Sequence, residues 1–415
     1  MNAEIIAIGS ELLTPFRQDT NSLYLTAKLN ELGVEVSFKT LVGDRCSDLT
    51  GAARVALARA DIVIFMGGLG PTEDDLTRQC VAEALGRRLA RDPEILEALR
   101  ARFAARGWKM AENNAQQADV IEGAEVLPNA RGSAPGQFIH VQDEGGEAIV
   151  ILLPGPPYEL KAMFEEQCLD RLRRLTPPRH IATRELKIGM IGESAVDARA
   201  AAIYKQRTDV ETTILAGSPG EVQLHLRAQA DTAEEAQKKV DSLAAALEDE
   251  FEDAVFATHG ETLEQIVGYY LQMRGATLAA AESCTGGMLA GRITTVPGSS
   301  RYFLGGAVVY DNSLKTLFAD VPPLLIAENG AVSSQVAAAL AEGIRKRCKA
   351  TLGVGITGIA GPDGGTEQKP VGLVYVALSG EDKTEVVERK FPGDRERIRH
   401  WATQQALDMV RRRLM

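Results

Sequence analysis

At 415 residues the chain is too long for one hydrophobic core, and 45% hydrophobic with 25% charged residues is the make-up of an ordinary globular protein. Its 57 acidic against 46 basic residues leave a formal net charge of -11, which excludes a global positive field for holding nucleic acid or an anionic membrane. No apolar run approaches the ~18 residues of a membrane span and the start lacks a basic n-region, so a cytoplasmic chain without membrane contact is expected. Five dispersed cysteines without a Cys-x-x-Cys pair, and five dispersed histidines, argue against structural disulfides, zinc ribbons and a histidine-rich metal site. Oxygen is left as the donor for any metal.

Residues 1–175 alternate strand and helix signals. Glu4 to Ile8 reads as a short strand, and Asn21 to Leu32 as a helix with Leu23, Leu25, Leu29 and Leu32 along it and Gly33 as its C-cap. Val34 to Val42 is a second strand, Leu49 to Arg59 a helix, and Asp61 to Met66 a third, almost wholly aliphatic strand. Continuous apolarity fits a parallel sheet covered on both faces. A doubly wound α/β domain is therefore expected, with ligands beyond the carboxyl ends of its strands. Gly67-Gly68-Leu69-Gly70-Pro71-Thr72-Glu73-Asp74-Asp75 leaves the third strand. Gly67, Gly68 and Gly70 suit close approach of a phosphate, and Asp74 with Asp75 suits a hard cation, to which Asp44 could bring a third carboxylate. The plain alternative is an acidic helix start, favoured by the macrodipole. Asn113-Asn114, the loop from Leu127 to Gly136, and a strand from Ala148 to Leu153 running into Pro154-Gly155-Pro156-Pro157 follow. Proline and glycine fix the shape of such loops without naming a chemistry.

Thr176-Pro177-Pro178 reads as a linker into a small α+β segment over 176–257. Its strands are Arg184 to Ile188, Thr212 to Leu215 and Val222 to Ala228; its helices are Ser194 to Tyr204 and Thr232 to Phe251. Gly189 and Gly192 bracket Met190-Ile191 at the spacing of a nucleic-acid-clamping loop, but the surroundings are not basic and no direct nucleic-acid contact is expected. Residues 258–415 form a third, α/β segment large enough to fold alone. It holds a helix from Leu263 to Met273, a buried strand over Ala276 to Ala281, a strand from Tyr302 to Tyr310 and a helix from Ser333 to Arg347. A buried strand into Thr357, strands from Gly372 to Ser379 and Thr384 to Phe391, and a terminal helix complete it.

The third segment carries the sharpest chemistry. Ala279-Ala280-Ala281-Glu282-Ser283-Cys284-Thr285-Gly286-Gly287 passes from buried strand through a turn of small residues into an amphipathic helix marked by Met288, Leu289 and Ile293. Free N–H groups there attract anions and developing oxyanions, the glycines let a ligand approach the main chain, and Ser283 stands at the mouth. A second glycine-rich turn, Gly355-Ile356-Thr357-Gly358-Ile359-Ala360-Gly361-Pro362, answers it downstream. A nucleophilic serine needs a base, and with histidine scarce the candidates are Lys315 and Tyr310. Cys284 is a rival nucleophile; a simple N-cap serine and a solvated lysine are the non-catalytic alternatives. Arg395, Arg397 and Arg399 crowd the start of the last helix, where one could grip a phosphate bidentately.

Through these residues the whole chain resembles the CinA family, named for competence and damage inducibility. Ala281 to Gly287, Val296-Pro297-Gly298-Ser299-Ser300, Gly330-Ala331-Val332-Ser333, Thr357 to Pro362 and Lys369-Pro370-Val371-Gly372 look like its carboxy-terminal signature, in order. The resemblance implies that 258–415 is a nicotinamide mononucleotide (NMN) deamidase, releasing nicotinic acid mononucleotide and ammonia without a cofactor. It implies Ser283 as nucleophile, Lys315 with Tyr310 as acid/base apparatus, and amides near Cys284 and Thr285 as oxyanion donors. Thr285, Gly286, Gly287, Thr357 and Gly358 would surround the substrate, with Arg399 on its phosphate.

Residues 1–175 resemble the family's molybdopterin-binding-like domain through Gly9-Ser10-Glu11-Leu12-Leu13, Asp19-Thr20-Asn21-Ser22, Val42-Gly43-Asp44, Gly67 to Asp75 and Leu153 to Pro157. That implies ADP-ribose pyrophosphatase activity yielding AMP and ribose 5-phosphate, with a divalent cation at Asp44, Asp74 and Asp75 and K+ as a second candidate ion. Gly67, Gly68, Gly70 and Asn21 would bind the substrate. Where the family has a glycine and an aliphatic run after Glu11-Leu12-Leu13, this chain has Thr14-Pro15-Phe16-Arg17-Gln18, an altered loop beside the site. Residues 176–257 look like the family's KH-like domain, a spacer that would help form a homodimer. The expected protein is a bifunctional pyridine-nucleotide salvage enzyme; the alternative is a competence or DNA-damage adaptor whose amino-terminal domain only binds a nucleotide or pterin.

Overall fold

The computed structural model describes residues 1–143, 146–176 and 179–415, so Pro177 and Pro178 of the expected linker lie outside the described residues. The chain packs as two compact units: Met1–Ala182 with Gln229–Ala236, and Thr183–Ala228 with Gln237–Met415. Among the described residues no helix is long and apolar enough to cross a membrane.

The first unit is built on a 6-stranded sheet in the order Glu35–Val42, Asn2–Ile8, Ile62–Met66, Gly146–Leu153, Gly136–Asp143, Ala124–Leu127. The first four strands run parallel and the rest antiparallel. Two cores explain the continuous apolar runs. Ile5 and Ile64 pack with Leu25 and Leu29 on one face, while Ile6, Val63 and Phe65 pack with Leu49, Ala53 and Val81 on the other. The Gly136–Asp143 strand is an addition to the expected elements, because Gln137, His140 and Gln142 interrupt any apolar pattern there.

Cys46 and Cys80 are joined as a disulfide with Cα atoms 5.6 Å apart, which corrects the expectation of none. Cys46 opens the Cys46–Leu57 helix and Cys80 lies in the Thr77–Ala84 helix, and the two helices pack side by side. That pairing follows from tertiary packing, which cysteine spacing does not announce.

The second unit holds two sheets. One is 4-stranded, in the order Val210–Ala216, Glu221–Ala230, His180–Gly189, Val255–Ala257; the other is 5-stranded, in the order Phe303–Val308, Leu278–Glu282, Leu352–Gly358, Leu373–Ser379, Thr384–Lys390. In the larger sheet the first three strands are parallel, and the central one, Leu278–Glu282, comes first in sequence. Its neighbours follow on opposite sides, which opens a crevice at the carboxyl ends of the parallel strands. Small residues make the packing tight: a Cβ on Gly353 or Gly355 would meet the carbonyls of Ala341 and Ala337 at 2.2 and 2.4 Å. The Ser334–Cys348 helix therefore lies directly on the strand that ends at Thr357 and Gly358.

Candidate functional site

Ser283 is the first residue beyond the central strand. Its N–H donates to Ile356 O at 3.0 Å, and Val309 N–H donates to Glu282 O at 2.8 Å, so three strand ends meet at the turn. Gly286 and Gly287 have φ of 60° and 90°, a left-handed region that glycine enters without strain. The side chain of Glu282 then bends into the turn. Its Oε2 accepts Gly287 N at 3.1 Å and Leu289 N at 3.0 Å, and its Oε1 accepts Ala290 N at 2.9 Å. This buried carboxylate answers the open N–H groups of the Met288–Thr294 helix from within. The N–H groups of Cys284 and Thr285 donate to no oxygen among the described residues. Glu282 had no assigned role in the sequence; its signal was an acid placed directly before a helix-opening turn.

Lys315 lies in the Asn312–Ala319 helix and is only 1% exposed, so it is not the solvated lysine of the plain reading. Burial lowers its pKa from the ordinary lysine value, with Asp311 partly opposing the shift, and its charge interacts with Cys284. Nζ donates to Tyr310 O at 3.1 Å and Asn312 Oδ1 at 3.2 Å; Ser283 is not among its hydrogen-bond partners. The Tyr310 hydroxyl lies in an exposed side chain and takes Arg395 Nη2 at 3.1 Å, while Arg395 Nη1 donates to Gly361 O at 2.7 Å. Arg399 donates Nε and Nη2 to Thr285 O at 3.1 and 2.6 Å, which ties the last helix to the turn. Thr285 is fully buried, and its Oγ1 lacks a partner among the described residues. Thr357 Oγ1 donates to Ala331 O at 2.8 Å, and a Cβ on Gly358 would meet Leu373 O at 2.7 Å, so this second turn must be slim. Burial pushes the Cys284 thiol up to about 12, which keeps it protonated and a poor nucleophile at neutral pH.

In the first unit Gly67 and Gly68 have φ of 101° and 63° and leave the Ile62–Met66 strand for a cavity of about 380 Å³. Gly70, Asp44, Asp74, Asp75 and Glu11 also line it. Among the described residues no three His, Cys, Asp or Glu side chains gather as a metal set, which corrects the expectation of three converging carboxylates. The cause is local. Asp44 Oδ2 accepts Ser10 N at 2.7 Å, and Asp75 Oδ2 accepts Thr72 N at 2.9 Å and Thr72 Oγ1 at 2.5 Å. The donors fit a cation that shares one or two carboxylates with the oxygens of a bound phosphate, as magnesium commonly does, and do not fit a cage made by protein alone. Asn21 stands behind the wall: its Nδ2 donates to Gly155 O at 2.8 Å, and Gly155 lines the cavity.

A CinA-like protein from Koribacter versatilis is 64% identical over 415 residues, covering 100% of both chains. The chain belongs to the CinA family. The models that match are the CinA C-terminal domain over residues 260–414, the damage-inducible protein CinA KH domain over 183–257 and the probable molybdopterin binding domain over 4–174. A CinA-like protein from Acidobacterium capsulatum is 61% identical over the same 415 residues, again covering 100% of both chains. Among solved structures, the competence/damage inducible protein CihA from Agrobacterium tumefaciens is 35% identical, covering 36% of this chain and 93% of its own, with a TM-score of 0.35. The expected fold class, a molybdopterin-binding-like domain, a KH-like domain and a CinA carboxy-terminal α/β domain, is the one present. In this CinA chain the Gly189-Met190-Ile191-Gly192 loop is turned inward. Met190 N–H donates to Gly220 O at 2.9 Å and Met190 packs on the carboxy-terminal core, while a Cβ on Gly220 would meet Trp401 at 3.0 Å.

Proposed function

We propose that the chain is a bifunctional hydrolase whose carboxy-terminal domain cleaves the carboxamide of NMN and whose amino-terminal domain cleaves the diphosphate of ADP-ribose. The observation that carries the first activity is Lys315, a lysine 1% exposed whose basicity is lowered by burial and whose charge is felt at the turn holding Ser283 and Cys284. Ser283 attacks the carboxamide carbon as its proton passes to neutral Lys315, directly or through one water. The N–H groups of Cys284 and Thr285 receive the oxyanion. Lys315 returns the proton to the departing nitrogen, ammonia leaves, and water hydrolyses the acyl-serine to nicotinic acid mononucleotide. Arg395 and Arg399, whose charges both reach Cys284, favour a phosphate nearby, and Tyr310 orients the substrate through its Arg395 contact.

The test is ammonia release from NMN in the presence of chelator by wild type and by Ser283→Ala, Cys284→Ala and Lys315→Ala. Loss with the serine and lysine changes and retention with the cysteine change is the expected result. No ammonia from wild type overturns the reading; full activity in Ser283→Ala overturns the nucleophile. The adaptor alternative parts from this one at the same variant, since adaptor function survives Ser283→Ala.

For the amino-terminal domain, one or two of the carboxylates Asp44, Asp74 and Asp75 would hold a divalent cation together with oxygens of the diphosphate, whose charge the cation when bound neutralises. Gly67 and Gly68 let that diphosphate lie against the main chain. Release of AMP from ADP-ribose with added magnesium, and its loss in Asp75→Asn, tests the assignment.

A further inference from the structure

A second pocket of about 280 Å³ adjoins the carboxylate-lined cavity, and Ser133 and Glu159 line both. Its other walls are of a different kind. Trp108 and Tyr158, 62% and 58% exposed, present ring surface to this pocket. Arg106 sits 5.9 Å from the centre of the Trp108 ring and makes no ion pair among the described residues. Among the described residues the Arg131 side chain reaches Tyr158 O at 3.4 Å and Glu166 at 3.9 Å.

The wall between the pockets is held by a network of hydrogen bonds. Asn129 Oδ1 accepts the N–H groups of Arg131 and Gly132 at 3.1 and 2.7 Å, and Asn129 Nδ2 donates to Ala134 O at 2.9 Å and Glu159 Oε2 at 2.7 Å. Arg102 caps the same loop through Asn129 O and Gly132 O. A Cβ on Gly132 would overlap the Glu159 carboxylate, so the loop carries glycine where it crosses that side chain. The loop shape that proline and glycine prescribe thus has a purpose beyond the turn itself. It holds a buried carboxylate between an aromatic pocket and an anion-receiving one.

We propose that this second pocket is the base subsite of the amino-terminal site, which takes a nucleotide with an aromatic base, a ribose and a diphosphate. The inference rests on the reading of that domain as a diphosphate-cleaving one. The base stacks on Trp108 and Tyr158, a contact every heterocycle can make and an adjacent guanidinium strengthens. The ribose spans the wall, where the Glu159 carboxylate, which can only accept, takes its hydroxyl protons. The diphosphate lies beyond, over Gly67 to Asp75. Together the two pockets reach the size usual for small-molecule sites.

The chain has two tryptophans, so Trp401→Phe leaves Trp108 as its only one. In that variant AMP, added with chelator present, should quench tryptophan fluorescence saturably, and ribose 5-phosphate, which lacks a base, should not. In otherwise wild-type protein, Trp108→Ala and Tyr158→Ala should each raise the KM for ADP-ribose about tenfold or more with kcat little changed, and Tyr158→Phe should restore it. Absence of quenching by AMP, or equal quenching by ribose 5-phosphate, overturns the base subsite. So does an unchanged KM in both alanine variants of an enzyme that cleaves ADP-ribose, and the cleavage reading then stands without it. Saturable quenching in a protein that releases no AMP from ADP-ribose has the opposite meaning: the subsite stands and the cleavage reading falls.

Discussion

In the carboxy-terminal unit the turn beyond the central strand is answered by the chain itself. Glu282 takes three of its N–H groups and Arg399 takes the Thr285 carbonyl. In the amino-terminal unit the turn beyond Ile62–Met66 brings Asp74 and Asp75, and the end of Glu35–Val42 brings Asp44, to the wall of a cavity, where Asp44 Oδ2 accepts from Ser10 and Asp75 Oδ2 from Thr72. The first arrangement is preorganised: its dipoles are held in place and, in the proposed deamidation, would not need to reorient. The second leaves carboxylates on the wall of a cavity that, in the proposed reaction, an anionic substrate would enter. A diphosphate bound there as proposed would be repelled by the carboxylates unless a cation came with it.

The sharpest way to break this contrast is a chelator. AMP release from ADP-ribose should fall by about a hundredfold or more when divalent cations are removed, as expected when several kcal/mol of charge stabilisation is lost. Ammonia release from NMN by the same protein should not change. Equal sensitivity of both activities in one titration with EDTA would remove the distinction between the sites.

A smaller effect sharpens the contrast from the other side. Glu282→Ala leaves the N–H groups of Gly287, Leu289 and Ala290 without their acceptor in a buried turn. Loss of such charge-assisted bonds should cost about 2–3 kcal/mol of stability, read from the urea midpoint, and should lower kcat for NMN more than it raises KM. AMP release should be untouched. Unaltered deamidation in Glu282→Ala would mean that the turn is held by something other than this carboxylate.

What could be read in advance follows the range of the interactions involved. The strand through Ala279, Ala280 and Ala281 and the turn at Ser283 were legible because apolar period, small residues and helix start are local signals. The role of Glu282 was not, although its neighbours were, since an acid at a strand end becomes an internal cap only once the turn folds back over it. The Gly136–Asp143 strand carries no such local signal, because Gln137, His140 and Gln142 break its apolar pattern and it is defined by pairing with the largely apolar Gly146–Leu153. Among the arginines of the last helix, spacing could not separate Arg395, which meets Tyr310, from Arg399, which meets Thr285. One helical turn carries both, and only the crevice tells them apart.

The finest test bears on the base. Asp311 caps the Asn312–Ala319 helix by accepting Ser313 N at 2.8 Å, and its charge raises the pKa that burial lowers in Lys315. Asparagine caps a helix about as well as aspartate, so Asp311→Asn removes the charge and leaves the helix intact. Lys315 should then lose its proton at lower pH, and the rising limb of ammonia release against pH should move down relative to wild type. Stability should move in a matching sense. A lysine whose folded pKa lies below its unfolded value binds more protons when unfolded, so across the interval between the two values stability rises with pH. Asp311→Asn lowers the folded value further, extends that interval downward and leaves the variant less stable than wild type below it. Urea midpoints measured alongside the rates across the same pH series check both halves of the argument. A rate limb that moves up, or stays while the stability curve moves, would mean that a group other than Lys315 takes the serine proton.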